Sequence, residues 1–241
     1  MDETTSLERL VPDAIAAHES TGRETLELHL ERYRFAARHL RPGRLLDVAC
    51  GVGYGTRLMA DAVPAVESAL GLDIDAGAVE YARGRYADAR TRYERRDAMT
   101  LDVDARFDSI VSLETIEHLP EPEPFVAKLA QLLASGGVLV ASVPTTPSVD
   151  LNPHHLHDFS ARSFRALLAR QGLRELDALE QVQSVNPVAV LRRSETRMET
   201  MRRGLAGYYL RHPGSLLRRV GATLRHGFCN KYLTVVCQRA S

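Results

Sequence analysis

The chain has 241 residues, and its Lys+Arg and Asp+Glu counts are both 31, so its formal net charge is zero. The overall charge therefore does not indicate a nucleic acid or an anionic surface as a partner. No uninterrupted apolar stretch approaches the roughly 20 residues that span a membrane, and the polar start, Met-Asp-Glu-Thr-Thr, does not resemble a signal peptide. Cys50, Cys229 and Cys237 form no C-x-x-C motif, so we expect free cysteines and, by default, a cytoplasmic protein.

The length fits one α/β domain with additions. Along the chain we predict an N-terminal helical cap (1–43), a core of alternating strands and helices (44–182), a basic helical insertion (184–231) and a last strand (232–239). Within these parts, the periodicity and the turn signals predict helices over Glu24–Leu40, near Pro124–Leu133 and over Ala161–Gln171, and a turn at Ser135–Gly137 before a strand over Val138–Val143.

The most informative segment is 45–55, which reads Leu-Leu-Asp-Val-Ala-Cys-Gly-Val-Gly-Tyr-Gly. Its apolar residues predict a buried strand, and its three alternate glycines predict a turn whose backbone can take positive φ and approach a ligand closely. Asp47 near the end of the strand can hold a cationic amino group. The spacing is not the G-x-G-x-x-G of dinucleotide folds, and no lysine follows as in a phosphate loop. The segment therefore favours a small cofactor that carries a positive charge.

Acidic residues also end later predicted strands. Asp73 closes the second apolar strand about 20 residues past the glycines, where a carboxylate hydrogen-bonds ribose hydroxyls in doubly wound folds. Ile74 can pack against an adenine, and Asp97 after the third strand is placed for the adenine amino group. A fourth strand, Phe107–Leu113, is followed by Glu-Thr-Ile-Glu-His. These strand ends together predict a doubly wound α/β fold with a nucleoside-containing cofactor.

These motifs resemble those of the class I S-adenosylmethionine-dependent methyltransferases, over about 30–182 and again at the last strand. The resemblance implies a Rossmann-like, seven-stranded, mostly parallel sheet with one antiparallel strand near its edge and helices on both faces. It implies S-adenosylmethionine as cofactor and S-adenosylhomocysteine as product. The residues that carry the resemblance are Asp47–Gly55, Gly71–Asp73, Asp97–Ala98 and Phe107–Leu119.

The resemblance also implies roles for individual residues, with Gly51 and Gly53 lining the methionine moiety and Asp97 holding the adenine. In this class the helix before the first strand commonly closes over the cofactor. Tyr33 or Arg32 is therefore a candidate for its carboxylate, the alternative being that Tyr33 lies on the buried face of that helix. The predicted cofactor-binding set is Tyr33, Asp47, Ala49, Cys50, Gly51, Gly53, Tyr54, Asp73, Ile74, Asp97, Ala98, Met99 and Leu113.

Two histidine clusters offer a general base, which methyl transfer to a hydroxyl requires. His118 directly follows the fourth strand, and His155 lies in a loop after the fifth, among three histidines within four residues. Small-molecule and sugar methyltransferases of the class resemble this loop, with a histidine at His155 and an aromatic residue at Phe159. His155 and His118 are thus the catalytic candidates, while bracing of loops is the alternative role for both.

A metal site is a further alternative. Glu114, Glu117 and His118, joined by a histidine of the later loop, could hold Mg²⁺ or Mn²⁺, which would lower the pKa of an acceptor hydroxyl. The segment resembles metal-binding ubiquinone-biosynthesis and small-RNA terminal methyltransferases. Metal-free relatives also carry Glu-His at this point, and no metal remains the favoured prediction.

The insertion is the basic part of the chain, with ten Lys+Arg against two Glu between 186 and 231. It is predicted to be a helical lid whose arginines are solvated or paired with acids of the core. The alternatives are a site for a phosphorylated or nucleotide-linked substrate, contact with nucleic acid, and an interfacial membrane helix, of which the last two are not favoured. Its apolar residues at helical spacing are Leu216, Leu217, Val220 and Leu224.

The sequence thus predicts a methyltransferase that acts on a hydroxyl of a small molecule, with a sugar or a natural-product intermediate as the first choice. The alternatives are a metal-assisted methyltransferase of a quinol or an RNA terminus, an N-methyltransferase, and a catalytically silent cofactor-binding subunit. A homodimer is left open.

Overall fold

The computed structural model describes residues 10–15, 20–102, 104–185 and 201–240. Its helices are α1 (Ser20–Ala37), α2 (Tyr54–Ala62), α3 (Ala76–Tyr86), α4 (Pro122–Leu132), α5 (Ala161–Arg170), α6 (Leu205–Arg211) and α7 (Pro213–His226). Its strands are β1 (Gly43–Val48), β2 (Val66–Asp73), β3 (Thr91–Arg95), β4 (Phe107–Leu113), β5 (Leu133–Pro144), β6 (Leu173–Ser184) and β7 (Cys229–Arg239).

The strands form one seven-stranded sheet in the order β3-β2-β1-β4-β5-β7-β6. The pairs from β3 to β5 are parallel, and β7 runs antiparallel to both of its neighbours. The predicted fold class, including the single antiparallel strand near the edge, is confirmed. The strand order reverses between β1 and β4, and doubly wound sheets bind ligands in the crevice beyond the carboxyl ends of the strands at such a point.

The core lies on both faces of the sheet because successive side chains of a strand point to opposite faces. Leu46 packs with Ile110 of β4 and with residues of α4 and α5 on one face. Leu45, one residue earlier, packs with Val111 and with residues of α1 and α2 on the other. Strands buried on both faces read as continuous apolar runs, which is why these segments were recognisable in the sequence.

Several predicted boundaries were wrong by a few residues. The turn predicted at Ser135–Gly137 lies within β5, where Gly136 has a φ of 74° at an irregularity in the pairing with β4. The first helix begins at Ser20 and ends at Ala37, and the last strand begins at Cys229, three residues early. The insertion is therefore shorter than predicted. Of its residues, 186–200 lie outside the described part of the chain.

Helix α1 packs tightly on the start of α2. A Cβ atom built on Gly55 would lie 2.0 Å from Cζ of Tyr33, well inside contact distance. The backbone of Gly55 has no positive φ. The third glycine of the motif is thus required by the close approach of α1 rather than by the turn itself.

We expect Gly55→Ala to lower the free energy of unfolding by about 1–3 kcal/mol, because the added methyl overpacks the contact with Tyr33. The matched control is Gly84→Ala in α3, where a Cβ would meet no atom within 4 Å. That change should instead stabilise the helix by about 0.5–1 kcal/mol. Urea denaturation measures both, and equal effects of the two substitutions would contradict the packing account.

Candidate active site at the carboxyl edge of the sheet

The chain leaves β1 and β4 through strained backbone. Among the described residues, Ala49 (φ 59°) and Glu114 (φ 50°) are the two non-glycine residues with positive φ. They directly follow the two strands between which the strand order reverses. Such strain persists only where the surrounding structure holds it, and it is concentrated at functional sites. The crevice between the ends of β1 and β4 is therefore the candidate site.

Two carboxylates hold the turn after β1. Oδ2 of Asp73 accepts a hydrogen bond of 2.9 Å from the N–H of Gly51, and its Oδ1 accepts one of 2.9 Å from Asp75. The carboxylate of Asp47 accepts a bond of 2.5 Å from the Thr56 hydroxyl and is only 1% exposed. Asp47 therefore braces the turn from beneath, because its oxygens face the start of α2. Its contact with a cationic amino group stays a prediction from the sequence.

The side of the site after β2 and β3 is apolar and open. Ile74 is 71% exposed and Met99 is 42% exposed, which is unusual for large apolar side chains. The Asp97 side chain accepts a hydrogen bond from the N–H of Met99, and Ala98 between them is buried. A planar base lying against Ile74 and Met99 would remove their surface from water. With Asp73 beside them, these residues fit the adenosine part of a cofactor.

Other members of the predicted cofactor set lie deeper. Tyr33 is 7% exposed and packs against Gly55 in the core, as in the buried alternative, and its contact with the cofactor stays a prediction. Cys50 is also buried, among side chains of α3 and β3. Tyr54 and Leu113 are half-buried at the start of α2 and the end of β4. All three cysteines are free.

Arg32 connects α1 to the end of β4. Its guanidinium is 1% exposed, and its Nη1 lies 3.1 Å from Oε1 of Glu114. It also lies over the ring of Tyr232, 4.6 Å from the centroid. The Ser142 hydroxyl donates a 2.8 Å hydrogen bond to the same Glu114 oxygen. Glu114 thus forms an ion pair with Arg32 and, among the described residues, does not belong to the group of potential ligands around His118; its role as a metal ligand stays a prediction.

The two histidine clusters meet at the ends of β4 and β5. The rings of His118 and His155 are perpendicular, with centroids 4.6 Å apart. One potential ligand atom from each of Glu117, His118 and His155 lies within 4.8 Å of the other two. Residues 37 positions apart therefore share one small space, since parallel strands bring their carboxyl ends to the same edge.

The hydrogen bonds of His118 define its tautomer. Its Nδ1 lies 3.2 Å from the carbonyl oxygen of His154, and a carbonyl only accepts, so Nδ1 carries the proton. The basic nitrogen of the neutral ring is then Nε2, which lies 4.0 Å from Oε1 of the fully buried Glu117. On the other ring, Nδ1 of His155 lies 2.6 Å from the Ser148 hydroxyl. This arrangement can accept a proton at His118 and stabilise the resulting imidazolium.

His157 is not part of this pair. Its Nε2 lies 2.9 Å from the carbonyl oxygen of Leu119, so it braces the loop against the segment after β4. Phe159 packs on the core nearby. Of the three histidines of this loop, His155 lies at the site, His157 braces the loop, and His154 contributes its backbone carbonyl to His118.

Reasoning from the sequence missed the polar side chains that orient this site. Thr56, Ser142 and Ser148 each hold a predicted residue in place. Asp150 is 2% exposed and accepts hydrogen bonds from Arg219 and from Tyr209 at 2.7 Å. Thr56 could have been found as the hydroxyl directly after the glycines. Ser142 and Asp150 have no local signal, because their partners lie 28 or more positions away in the chain.

The fold is doubly wound, and the edge at the reversal of strand order is the candidate site for a ligand. Comparison with known proteins agrees. Residues 46–141 match the family model described as a methyltransferase domain. A "probable S-adenosylmethionine-dependent methyltransferase" of Mycolicibacterium smegmatis is 34% identical over 148 residues, which are 58% of this chain and 56% of that protein. A malonyl-[acyl-carrier protein] O-methyltransferase of Acetivibrio thermocellus is 34% identical over 98 residues, 41% of this chain and 34% of its own length.

Among solved structures, the N-methyltransferase NodS of Bradyrhizobium japonicum WM9, in complex with S-adenosyl-l-homocysteine, has a TM-score of 0.60. It covers 93% of this chain and 90% of its own, at 14% identity, which shows the fold alone. Residues 46–141 thus match a methyltransferase domain, and the relatives that align beyond it are named as S-adenosylmethionine-dependent methyltransferases. The chain spans little more than half the length of the mycobacterial relative.

Within the described residues, no helix combines the length and the apolar character needed to cross a bilayer.

The buried carboxyl of Asp47 generates a prediction about pH. Burial, together with the nearby charge of Asp73, raises the pKa of Asp47 to about 7, although the hydrogen bond from Thr56 lowers it. The unfolded value is about 4, so the folded state binds a proton more tightly, and the stability this confers is lost as the pH rises from about 4 through 7. We expect Asp47→Asn, which cannot lose a proton, to flatten this part of the stability profile.

Urea denaturation across this pH range measures the effect. Glu67→Gln, at an exposed position of β2, controls for the loss of a carboxylate and should leave the profile unchanged. Parallel profiles for Asp47→Asn and the wild type would show that this carboxyl does not titrate as described.

Proposed function

We propose that this chain is an S-adenosylmethionine-dependent methyltransferase that methylates a hydroxyl of a small molecule, with His118 as the general base. The main support for this proposal is the position of Nε2 of His118, which lies 4.0 Å from the buried carboxylate of Glu117. Both residues lie at the same edge of the sheet as the glycine turn after β1. When bound there, the cofactor supplies a methyl group that its sulfonium already activates.

The residues at this edge fit such a cofactor. A Cβ on Gly51 would meet no atom within 4 Å, so the backbone there is open to close approach. Asp73 offers a carboxylate to the ribose hydroxyls, and the exposed Ile74 and Met99 offer apolar surface to the adenine. The charge of the sulfonium favours the neighbourhood of Asp73 and of the more deeply placed Asp47.

His118 has the features that a base for a hydroxyl needs. The carbonyl of His154 fixes its ring orientation and directs Nε2 into the space shared with His155. As Nε2 takes the hydroxyl proton, the growing positive charge lies near the Glu117 carboxylate, which lowers the energy of the imidazolium. His155, held by Ser148, is then a positioning residue for the acceptor.

The class of acceptor follows from this base. An amine acceptor needs little help in losing its proton, whereas a hydroxyl needs a base as the bond forms. A buried carboxylate beside an oriented imidazole therefore favours oxygen. A sugar or natural-product intermediate stays the first choice, on the resemblance of the histidine loop to sugar and small-molecule methyltransferases.

Metal-assisted transfer is the second candidate, because Glu117, His118 and His155 come together as three donors. With Glu114 held by Arg32, the set has one carboxylate and two imidazoles. Mg²⁺ prefers oxygen ligands, so it fits these donors poorly, and Mn²⁺ fits them better. The base mechanism uses all three side chains without an ion and is the one proposed.

We expect Asp73→Ala to weaken binding of S-adenosylhomocysteine by about 10- to 100-fold, since hydrogen bonds to a charged group contribute about 1.5–3 kcal/mol each. Isothermal titration calorimetry measures this. Asp102→Ala, in the loop after β3, is the control and should bind as the wild type does. If Asp73→Ala binds S-adenosylhomocysteine as tightly as the wild type does, Asp73 does not hold the ribose.

For catalysis, we expect His118→Ala to lower kcat by about 10²- to 10⁴-fold, the usual contribution of a general base, with cofactor affinity unchanged. His155→Ala should mainly raise the KM of the acceptor. Turnover is followed by mass spectrometry with methyl-labelled cofactor and a panel of glycosides, phenols and amines.

Three outcomes would overturn parts of this proposal. Activity lost in EDTA and restored by Mn²⁺ would establish the metal mechanism instead. Full activity in His118→Ala would exclude it as the base. Cofactor binding without turnover of any compound in the panel would favour a catalytically silent subunit.

A further inference from the structure

Helix α7 is amphipathic, but its polar side faces the protein. Arg219 points inward and forms an ion pair with the buried Asp150. On the other side, Leu217 is 73% exposed, Leu224 is 84% exposed and Val220 is 46% exposed. These residues are spaced at i, i+3 and i+7, so they share one face of the helix. Helical periodicity normally marks the face that packs on a core, and here it marks the face turned to solvent.

The exposed apolar residues continue along the chain on either side of this face. Leu210 of α6 is 86% exposed, and Phe228, which follows α7, is 60% exposed. Single exposed apolar residues are common and need no explanation. A row of leucines along one helix, with further apolar residues at both ends, is instead typical of an interaction surface. We call Leu210, Leu216, Leu217, Val220, Leu224 and Phe228 the outer apolar residues.

The segment that carries these residues is basic, although Arg218 and Arg219 pair with Asp158 and Asp150 of the core. From 201 to 231 the sequence contains six arginines and one lysine, and neither aspartate nor glutamate. Arg218 and Arg225 are exposed on α7 itself. A two-fold contact with a second copy would bring two predominantly basic surfaces together, and like charges oppose such a contact. A partner that matches both the outer apolar residues and the basic residues beside them has an apolar interior and an anionic surface.

We propose that α7 docks in the plane of an anionic lipid bilayer, with its outer apolar residues among the acyl chains and its arginines at the headgroups. Interfacial helices of this kind combine leucine and phenylalanine on one side with arginine or lysine beside them. Each basic residue near an anionic membrane adds about 1 kcal/mol of attraction. The bonds of Arg219 to Asp150 and to the Pro147 carbonyl anchor the helix to the protein. This docking does not depend on the methyl transfer proposed above.

The test is co-sedimentation of the full chain with vesicles of phosphatidylcholine alone or mixed with phosphatidylglycerol. We expect binding to the mixed vesicles, weakened by salt, and little to phosphatidylcholine alone. The double substitution Leu217→Glu with Leu224→Glu should weaken binding by about 100-fold or more, given the burial free energy of two leucines. Arg225→Ala should weaken it by about fivefold. Leu176→Glu, at an exposed leucine of β6, is the matched control and should bind as the wild type.

Binding that survives the double substitution, or that is absent from the wild type, would overturn the proposal. An alternative result in light scattering is a dimer that the double substitution converts to a monomer. If neither the wild type nor the variant then binds vesicles, the surface is a contact with a second copy of the chain. Circular dichroism and S-adenosylhomocysteine binding check that the variant is folded, since both leucines are exposed. Vesicle binding by a wild-type chain that binds no S-adenosylhomocysteine would count against the proposed function alone.

Discussion

The left-handed backbone after β1 is the constraint on which the site depends. Ala49, Gly51 and Gly53 all have positive φ, and for an L-residue such as Ala49 this conformation costs about 1–2 kcal/mol. The hydrogen bond from Gly51 to Asp73 and the bond from Thr56 to Asp47 hold the turn in place. Because the turn is held from two sides, its open backbone face is formed before any ligand arrives, and less free energy is lost in ordering it on binding.

The reversal of strand order places the chemistry beside this turn. β4 lies next to β1, so the strained Glu114 and the histidine that follows it reach the same edge as the glycines. The buried ion pair with Arg32 fixes Glu114 and joins the helical cap to that edge. Glu117 and His118 are then directed to the other side, towards the loop that follows β5. The two carboxylates of this short segment thus have different roles. Glu114 stabilises the structure, and Glu117 can support His118 as a base.

Much of the fold could be predicted, because its signals are local. The buried strands read as apolar runs, and the glycines and Asp73 lie at the two strand ends of one β–α–β unit. Periodicity predicts a helix but not which of its faces packs inward, and long-range partners decide that. α7 turns its leucines outward because Asp150, 69 residues earlier, binds Arg219 on the opposite face. In the same way, the Glu-x-x-Glu-His spacing does not indicate which glutamate pairs with which residue. Glu114 pairs with the distant Arg32, whereas Glu117 lies beside His118.

The central claim is that the edge formed by β1, β2 and β4 binds the methyl donor in a turn that is already formed. A crystal structure of the chain with S-adenosylhomocysteine tests it most directly. We predict the ribose hydroxyls at the carboxylate of Asp73, the adenine against Ile74 and Met99, and the homocysteine over Gly51, with the φ angles of the turn unchanged. Binding at another edge of the sheet, or a turn that has to rebuild around the ligand, would contradict this account.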